Sequence, residues 1–231
     1  MGRKGFTLVE LMIVIAIIAV LATIAIPGIM RSQRSAHERS ALTALKTLIV
    51  AEFDFQGNDR DENGVRDFWT GDVAGLFCIT SCSVPGNAEQ PIKLLDLGYA
   101  GSDSNPLADG DAGGEYRGID NFITHAHKAG YWVTAMDADA YGDSYRMDTA
   151  GKVAMGNVHN SSRFAFLTFP ESIKSTGQFA GIVSEEGAVL KRLLGVEIKP
   201  SNANPPGPVT DLDYINWPSD SDLKSYWSKL D

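Results

Sequence analysis

The sequence predicts an α+β protein in which a long N-terminal helix packs against a head built on a C-terminal antiparallel β-sheet. Two observations predict the helix: residues 6–30 are apolar almost throughout, and residues 31–55 continue with apolar side chains at helical spacing. A third observation predicts the sheet, because four segments beyond residue 129 have the alternating apolar side chains of strands. We therefore expect the head to occupy residues 56–195, followed by a C-terminal linker and tail over residues 196–231.

Composition and charge exclude several classes of protein. With 231 residues, of which 44% are hydrophobic and 21% charged, the chain is neither disordered nor collagen-like. Its formal net charge of −9 argues against a protein that binds duplex DNA or an anionic membrane surface, since such a protein needs a basic face. Cys78 and Cys82 are the only cysteines, too few for a disulfide framework, so burial of apolar side chains must stabilise the fold.

The apolar segment at residues 6–30 has the length of a transmembrane helix. Glu10 is its only ionisable side chain, and the stretch from Leu11 to Ile26 contains nothing more polar than Thr23. A span needs roughly 20 apolar residues, whereas the apolar region of a cleaved signal peptide has about 7–15. A retained membrane helix is therefore expected, with a cleaved secretory signal and a plain single-span anchor as the alternatives.

The residues around this segment resemble a known processing motif. The sequence from Arg3 to Leu11, RKGFTLVEL, resembles the class III leader and N-terminus of type IV pilins and type II secretion pseudopilins. The resemblance depends on a short basic leader, on Gly5 before Phe6, on Glu10 four residues later, and on the unbroken apolar run. It implies that prepilin peptidase removes residues 1–5 by cutting after Gly5 and that Phe6 becomes N-methylated.

The resemblance also implies a pilin-like fold and a structural role. The subunit would be stored in membrane lipid as a single-pass inner-membrane protein with a cytoplasmic N-terminus. An inner-membrane assembly platform would then join it to identical or related subunits in a filament, with its head in the periplasm or on the cell surface. The resemblance does not distinguish a pilus from a pseudopilus, nor a major from a minor subunit.

Glu10 is expected to be an assembly residue. A carboxylate in hydrocarbon costs at least ~2.5 kcal/mol and needs a partner. The next cations along the helix, Arg31 and Arg34, lie about 30 Å away. The expected partner is the ammonium that cleavage creates on Phe6, in the same or an adjacent subunit. The alternative is a glutamate that merely reaches the membrane interface.

Pro27 and Gly28 lie where the apolar segment ends, and they predict a helix kink or a melted turn. The alternative is that the membrane helix stops at Ile26. An amphipathic helix resumes beyond this point, with Leu42, Leu45, Ile49 and Phe53 spaced to form one core-facing stripe. This second half of the helix is expected to cover the sheet.

A loop of calcium-binding type follows the helix. Oxygen ligands are predicted from the side chains of Asp59, Asp61, Asn63 and Asp67 and from the main-chain carbonyl of Val65, in the order that a calcium loop requires. Thr70 stands where an EF-hand has a bidentate Glu, and Asp72 is a possible substitute. A rigid extracytoplasmic loop is thus expected rather than a sensor, and the alternative is an acidic surface turn that binds nothing.

Cys78 and Cys82 allow three interpretations: a zinc half-site, a redox pair or a small disulfide loop. A zinc site lacks a second cysteine pair, and a redox motif has two intervening residues rather than three. For an exported head, a local disulfide is therefore expected.

The strands are predicted at residues 130–136, 163–169, 178–184 and 188–193, and the last two are joined by a short turn containing Gly187. One face of this sheet is expected to be covered by the helix. Aromatic residues near the C-terminus, including Trp217 and Trp227, predict a tail that packs back onto the head.

No enzymatic role is expected, because the sequence contains no nucleophile-elbow, phosphate-loop, zinc-protease or dinucleotide motif. Two functions remain at this point. The first is a structural subunit of a type IV pilus or a type II secretion filament. The second is a membrane-tethered, calcium-stabilised extracytoplasmic binding module that does not assemble.

Overall fold

The computed structural model describes residues 5–80, 91–112, 116–147, 158–195 and 216–230. The helices are α1 (Leu8–Asn58), α2 (Gly75–Cys78), α3 (Leu97–Ala100) and α4 (Asp220–Tyr226), with a 3-10 turn at Ile119–Asn121. The strands are β1 (Phe68–Trp69), β2 (Tyr131–Ala135), β3 (His159–Asn160), β4 (Ala165–Pro170), β5 (Phe179–Ser184), β6 (Leu190–Leu193) and β7 (Ser228–Lys229).

α1 is one unbroken helix of 51 residues that contains both predicted helical segments. Pro27 lies inside it, so the alternative in which the helix stops at Ile26 is wrong. The turn at Pro27 and Gly28 is not melted in the described chain. Proline removes one main-chain hydrogen bond, but the helix continues on both sides of it. A bend there stays a prediction. The helix ends at Asn58, where Asp59 adopts a left-handed conformation with φ of 47°.

The larger sheet has the strand order β2-β4-β5-β6-β7, and every neighbouring pair is antiparallel. All four predicted strands are present. The predicted hairpin is also confirmed, since β5 pairs with β6 across a turn in which Gly187 has φ of 75°. The sequence analysis missed the two-stranded ribbon of β1 and β3, because its strands of two residues each are too short for a pattern.

The second half of α1 packs across the sheet, as predicted. Leu42 and Leu45 are buried over β5, where Gly181 allows the close approach: a Cβ there would lie 2.6 Å from Leu42 Cδ2 and 2.9 Å from Leu45 Cδ1. The predicted stripe is wrong further on, because Phe53 is 47% exposed whereas Leu48 and Phe55 are buried. Towards its C-terminal end, therefore, the helix presents a different face to the core from the one its apolar spacing indicates.

The sheet is covered on both faces, whereas only one covered face was expected. Every residue of β2 and β4 is buried. The second face packs in a separate apolar cluster that includes Trp132, Leu167 and Trp227. The predicted return of the C-terminal tail is thus confirmed: Trp227 is buried, and β7 adds to the edge of the sheet beside β6.

Candidate functional site

The first half of α1 is an apolar helix that no other described segment of the chain covers. Its most apolar 18-residue window has a mean hydropathy of 2.9 and no buried residue, which makes α1 long and apolar enough to cross a membrane. The large side chains in this half of the helix and just before it are exposed. Examples are Phe6, Leu8 and Ile24, which are 73–78% exposed. An apolar surface of this extent requires a membrane or other helices to cover it.

Glu10 takes part in a capping box at the start of α1. The Thr7 hydroxyl accepts a hydrogen bond from the Glu10 N–H at 3.2 Å, and the Glu10 carboxylate accepts bonds from the Thr7 N–H at 2.8 Å and from its hydroxyl at 2.7 Å. Sequence reasoning missed this partner, although Thr-x-x-Glu before an apolar run is its signature. The Glu10 carboxylate therefore lies at the helix N-terminus, where the helix dipole favours a negative charge.

Gly5 and Phe6 lie just before α1 and are both exposed. A Cβ added to Gly5 would meet no other atom within 4 Å, so nothing in the described fold requires glycine there. Such a site is open to an enzyme that reads this short segment.

The predicted calcium loop is folded around a histidine that sequence reasoning did not include. His159 Nδ1 lies 2.9 Å from Asp67 Oδ1, and His159 Nε2 lies 3.7 Å from Asp61 Oδ2. All three side chains are buried. Pairing of β1 with β3 places Trp69 opposite His159, which brings the histidine between two carboxylates far from it in sequence. No local sequence pattern could have identified this contact.

The loop fits the predicted calcium site only in part. Asn63 Nδ2 donates to Asp61 Oδ2 at 2.7 Å, and the Asp59 carboxylate accepts from the Gly64 N–H at 3.1 Å, so several oxygens do gather there. Asp67 Oδ1 lies against His159, and the role of Asp67 as a calcium ligand stays a prediction. Within the described ranges, no three His, Cys, Asp or Glu side chains form a group that could hold a metal ion. Val65 lies in the same loop, and calcium binding stays a prediction.

Burial sets the electrostatics of this region. It raises the pKa of Asp61 to about 7, because the carboxylate loses hydration, and the nearby His159 opposes the rise. Burial also raises the pKa of Glu52, which accepts a hydrogen bond from the Trp69 N–H at 3.0 Å. Glu52 thereby joins α1 to β1 inside the head.

Asp72 and Asp103 form a second buried polar group in the head, and the sequence analysis did not single out Asp103. Asp103 Oδ2 accepts from the N–H groups of Val73 and Ala74 at 2.6 and 2.9 Å. Asp72 accepts from Trp69 Nε1 at 2.9 Å and from the Tyr116 hydroxyl at 2.5 Å. The Asp72 carboxylate thus joins the loops around it, and its possible role as a substitute calcium ligand stays a prediction.

Cys78 is buried at the end of α2, and burial raises the pKa of its thiol. Its predicted disulfide partner, Cys82, lies outside the described residues. The disulfide therefore stays a prediction.

Comparison with known proteins identifies a motif in the N-terminal segment. The family model of the prokaryotic N-terminal methylation motif matches residues 1–26. Comparison with the curated proteins and with the solved structures gives no match. The matched range includes Gly5, Phe6 and Glu10, and the architecture of a long apolar helix followed by an antiparallel sheet agrees with a pilin-like fold. The chain therefore carries the class III signal peptide of a type IV pilin-like precursor.

Proposed function

We propose that this protein is a structural subunit, a pilin or pseudopilin, of a type IV pilus or a type II secretion filament. The observation that carries the proposal is the exposed apolar half of α1, most of which lies within the matched methylation motif. Both faces of the sheet in the head are already covered, so the head does not need the apolar first half of α1 for its own stability. The helix is therefore available first to the membrane and then to neighbouring subunits.

Processing would create the assembly-competent N-terminus. Prepilin peptidase would cut after Gly5, in the exposed segment ahead of α1, and Phe6 would then carry a methylated ammonium. The new charge would lie within one helical turn of Glu10, whose carboxylate Thr7 already holds at the helix start. Cleavage would thus supply a cation for a carboxylate that hydrocarbon otherwise disfavours.

The length of the helix supports storage in a bilayer. The helical part of the apolar segment, residues 8–30, rises about 34 Å at about 1.5 Å per residue, enough to cross a hydrocarbon layer of about 30 Å. The cytoplasmic N-terminus would face the peptidase and the assembly platform, and the head would lie on the opposite side. Extraction into a filament would exchange lipid contacts for contacts with other helices.

Substitution of Glu10 tests the proposal. Glu10→Ala removes the charge and the capping box together, whereas Thr7→Val removes the hydroxyl partner and leaves the charge. We expect Glu10→Ala protein to remain in the membrane fraction and to be absent from filaments sheared from cells. Thr7→Val protein should still appear there, because a lost cap costs helix stability only about 1 kcal/mol.

The control is the membrane fraction itself, where both variants should be as abundant as the parent. Normal incorporation of Glu10→Ala protein would contradict an assembly role for this residue.

Mass spectrometry of the N-terminus distinguishes a pilin, a pseudopilin or minor subunit, and an unprocessed membrane anchor. We expect chains that begin with N-methyl-Phe6. If the protein is a pilin, these chains should be abundant in the fibres; if it is a pseudopilin or a minor subunit, they should be confined to the membrane. Chains that keep residues 1–5 would refute processing.

A further inference from the structure

The head contains a cavity that the filament proposal does not use. It has a volume of about 500 Å³ and lies where the C-terminal segment returns to the sheet. The side chains important for its chemistry are Asp139, Arg192, Trp217, Asp222, Tyr226 and Trp227. They come from the loop after β2, from β6, and from the segment that contains α4. Cavities of this size are typical of small-molecule sites.

The walls of the cavity are held by contacts outside it. The Trp217 N–H donates to the Ala138 carbonyl at 2.8 Å, and Trp227 is buried in the apolar cluster under the sheet. Asp139 Oδ1 accepts from the N–H groups of Tyr141 and Asp143, both at 2.9 Å. The cavity is therefore formed before any ligand arrives, which reduces the entropy lost on binding.

The charges around the cavity disfavour an ionic ligand. The Arg192 guanidinium lies 4.6 Å from the centre of the Tyr226 ring, so the chain already places a cation on that aromatic surface. A cationic ligand would have to approach this guanidinium. An anionic ligand would meet the carboxylate of Asp222 and that of Asp139, although Arg163 pairs with Asp139 and balances part of its charge.

The remaining chemistry suits a neutral polyhydroxylated ligand. A saccharide ring has apolar C–H faces that pack on aromatic rings, and hydroxyl groups that both donate and accept hydrogen bonds. Trp217 and Tyr226 are only partly buried, and Tyr226 is 58% exposed, so aromatic surface is accessible. Among the described residues, Asp222 accepts a hydrogen bond from the Ser219 hydroxyl through Oδ2, so its other carboxylate oxygen can accept one from a ligand hydroxyl. We propose that this cavity binds a neutral saccharide of one or two sugar units.

Binding can be measured with the full-length chain in a zwitterionic detergent that has no sugar headgroup. The probes are glucose, galactose, mannose and N-acetylglucosamine with their disaccharides, each titrated by calorimetry. Glucuronic acid and choline are the charged comparison ligands. We expect at least one neutral sugar to bind with a dissociation constant below about 1 mM and neither charged ligand to bind more tightly.

Variants connect the signal to the cavity. Trp217→Ala and Tyr226→Ala should each weaken binding of that sugar at least tenfold. Tyr141→Ala is the matched control, because Tyr141 is 86% exposed on the neighbouring loop and is not among the described residues that line the cavity. Melting curves establish that each variant is folded. No binding by any neutral sugar, tighter binding of a charged ligand, or binding unchanged in both variants would each overturn the proposal.

Discussion

Two phenylalanines at the end of α1 provide a sharp test of how the helix packs on the head. Phe55 is 1% exposed and contacts Trp69 and His159, at ring-centroid distances of 6.3 and 6.2 Å. Phe53 is 47% exposed, although its spacing in the sequence predicts the core position. Replacement of each by Ala removes the same atoms from the same helix, so the difference measures burial.

The magnitudes follow from the buried fraction. Truncation of a buried Phe costs about 3–5 kcal/mol, so Phe55→Ala is expected to lower the free energy of unfolding by about 4 kcal/mol. Phe53 buries about half as much of its side chain, so its loss should cost about 2 kcal/mol, which includes its edge contacts with Phe68 and Phe164. For a chain of this size the corresponding drops in melting temperature are about 8–16 °C and about 4–8 °C.

The measurement is urea unfolding of the full-length protein in detergent, followed by the fluorescence of the buried tryptophans. A Phe53→Ala variant as destabilised as Phe55→Ala would refute the packing described for α1. It would instead support the stripe that the apolar spacing indicates. The exposed Val50, replaced by Ala, is the control for general effects on the helix and should change stability by less than about 0.5 kcal/mol.

Three further predictions concern the head. Burial, together with the neighbouring Asp72, raises the pKa of Asp103 to about 7, so the folded state keeps a proton that the unfolded state releases near pH 4. The free energy of unfolding should therefore fall as pH rises from about 4 to about 7 and then level off; Asp103→Asn should flatten that dependence, and an equal slope in the variant would contradict it. Calcium should raise the melting temperature of the parent but not of the variant carrying Asp59→Ala and Asp61→Ala; a parent insensitive to calcium would show that the loop does not bind it. Trp227→Ala should release the C-terminal segment and speed hydrogen exchange along β6, whereas unchanged exchange would mean that β7 holds the segment without this side chain.

Much of the architecture could be predicted because its signals are local. The apolar stretch, the strand segments and the turn at Gly187 each depend on residues close together in the chain, where helical or strand spacing is visible. The capping box of Thr7 and Glu10 is equally local, because its two side chains are three residues apart in the sequence. The processing motif belongs to the same class, since an enzyme that reads a short exposed segment requires a short sequence pattern.

The contacts that sequence reasoning missed join residues distant in the chain. His159 meets Asp61 and Asp67 only because β1 pairs with β3, and 92 residues separate His159 from Asp67. The loop pattern of alternating oxygens is the same whether a metal ion or an imidazole occupies its centre. A ligand pattern therefore predicts what a loop is able to bind, while the packing around the loop determines what lies against its carboxylates.

By itself the sequence determined the long apolar helix, the methylation motif, the strand segments and the absence of a partner cation near Glu10 along its own helix. Tertiary structure decided which face of α1 meets the core, how both faces of the sheet are covered, and where buried carboxyl groups such as Asp72 and Asp103 find their donors. The physical reason is the range of the interactions. Periodicity and motifs are properties of neighbouring residues, whereas burial and polar pairing depend on segments that only the folded chain brings together.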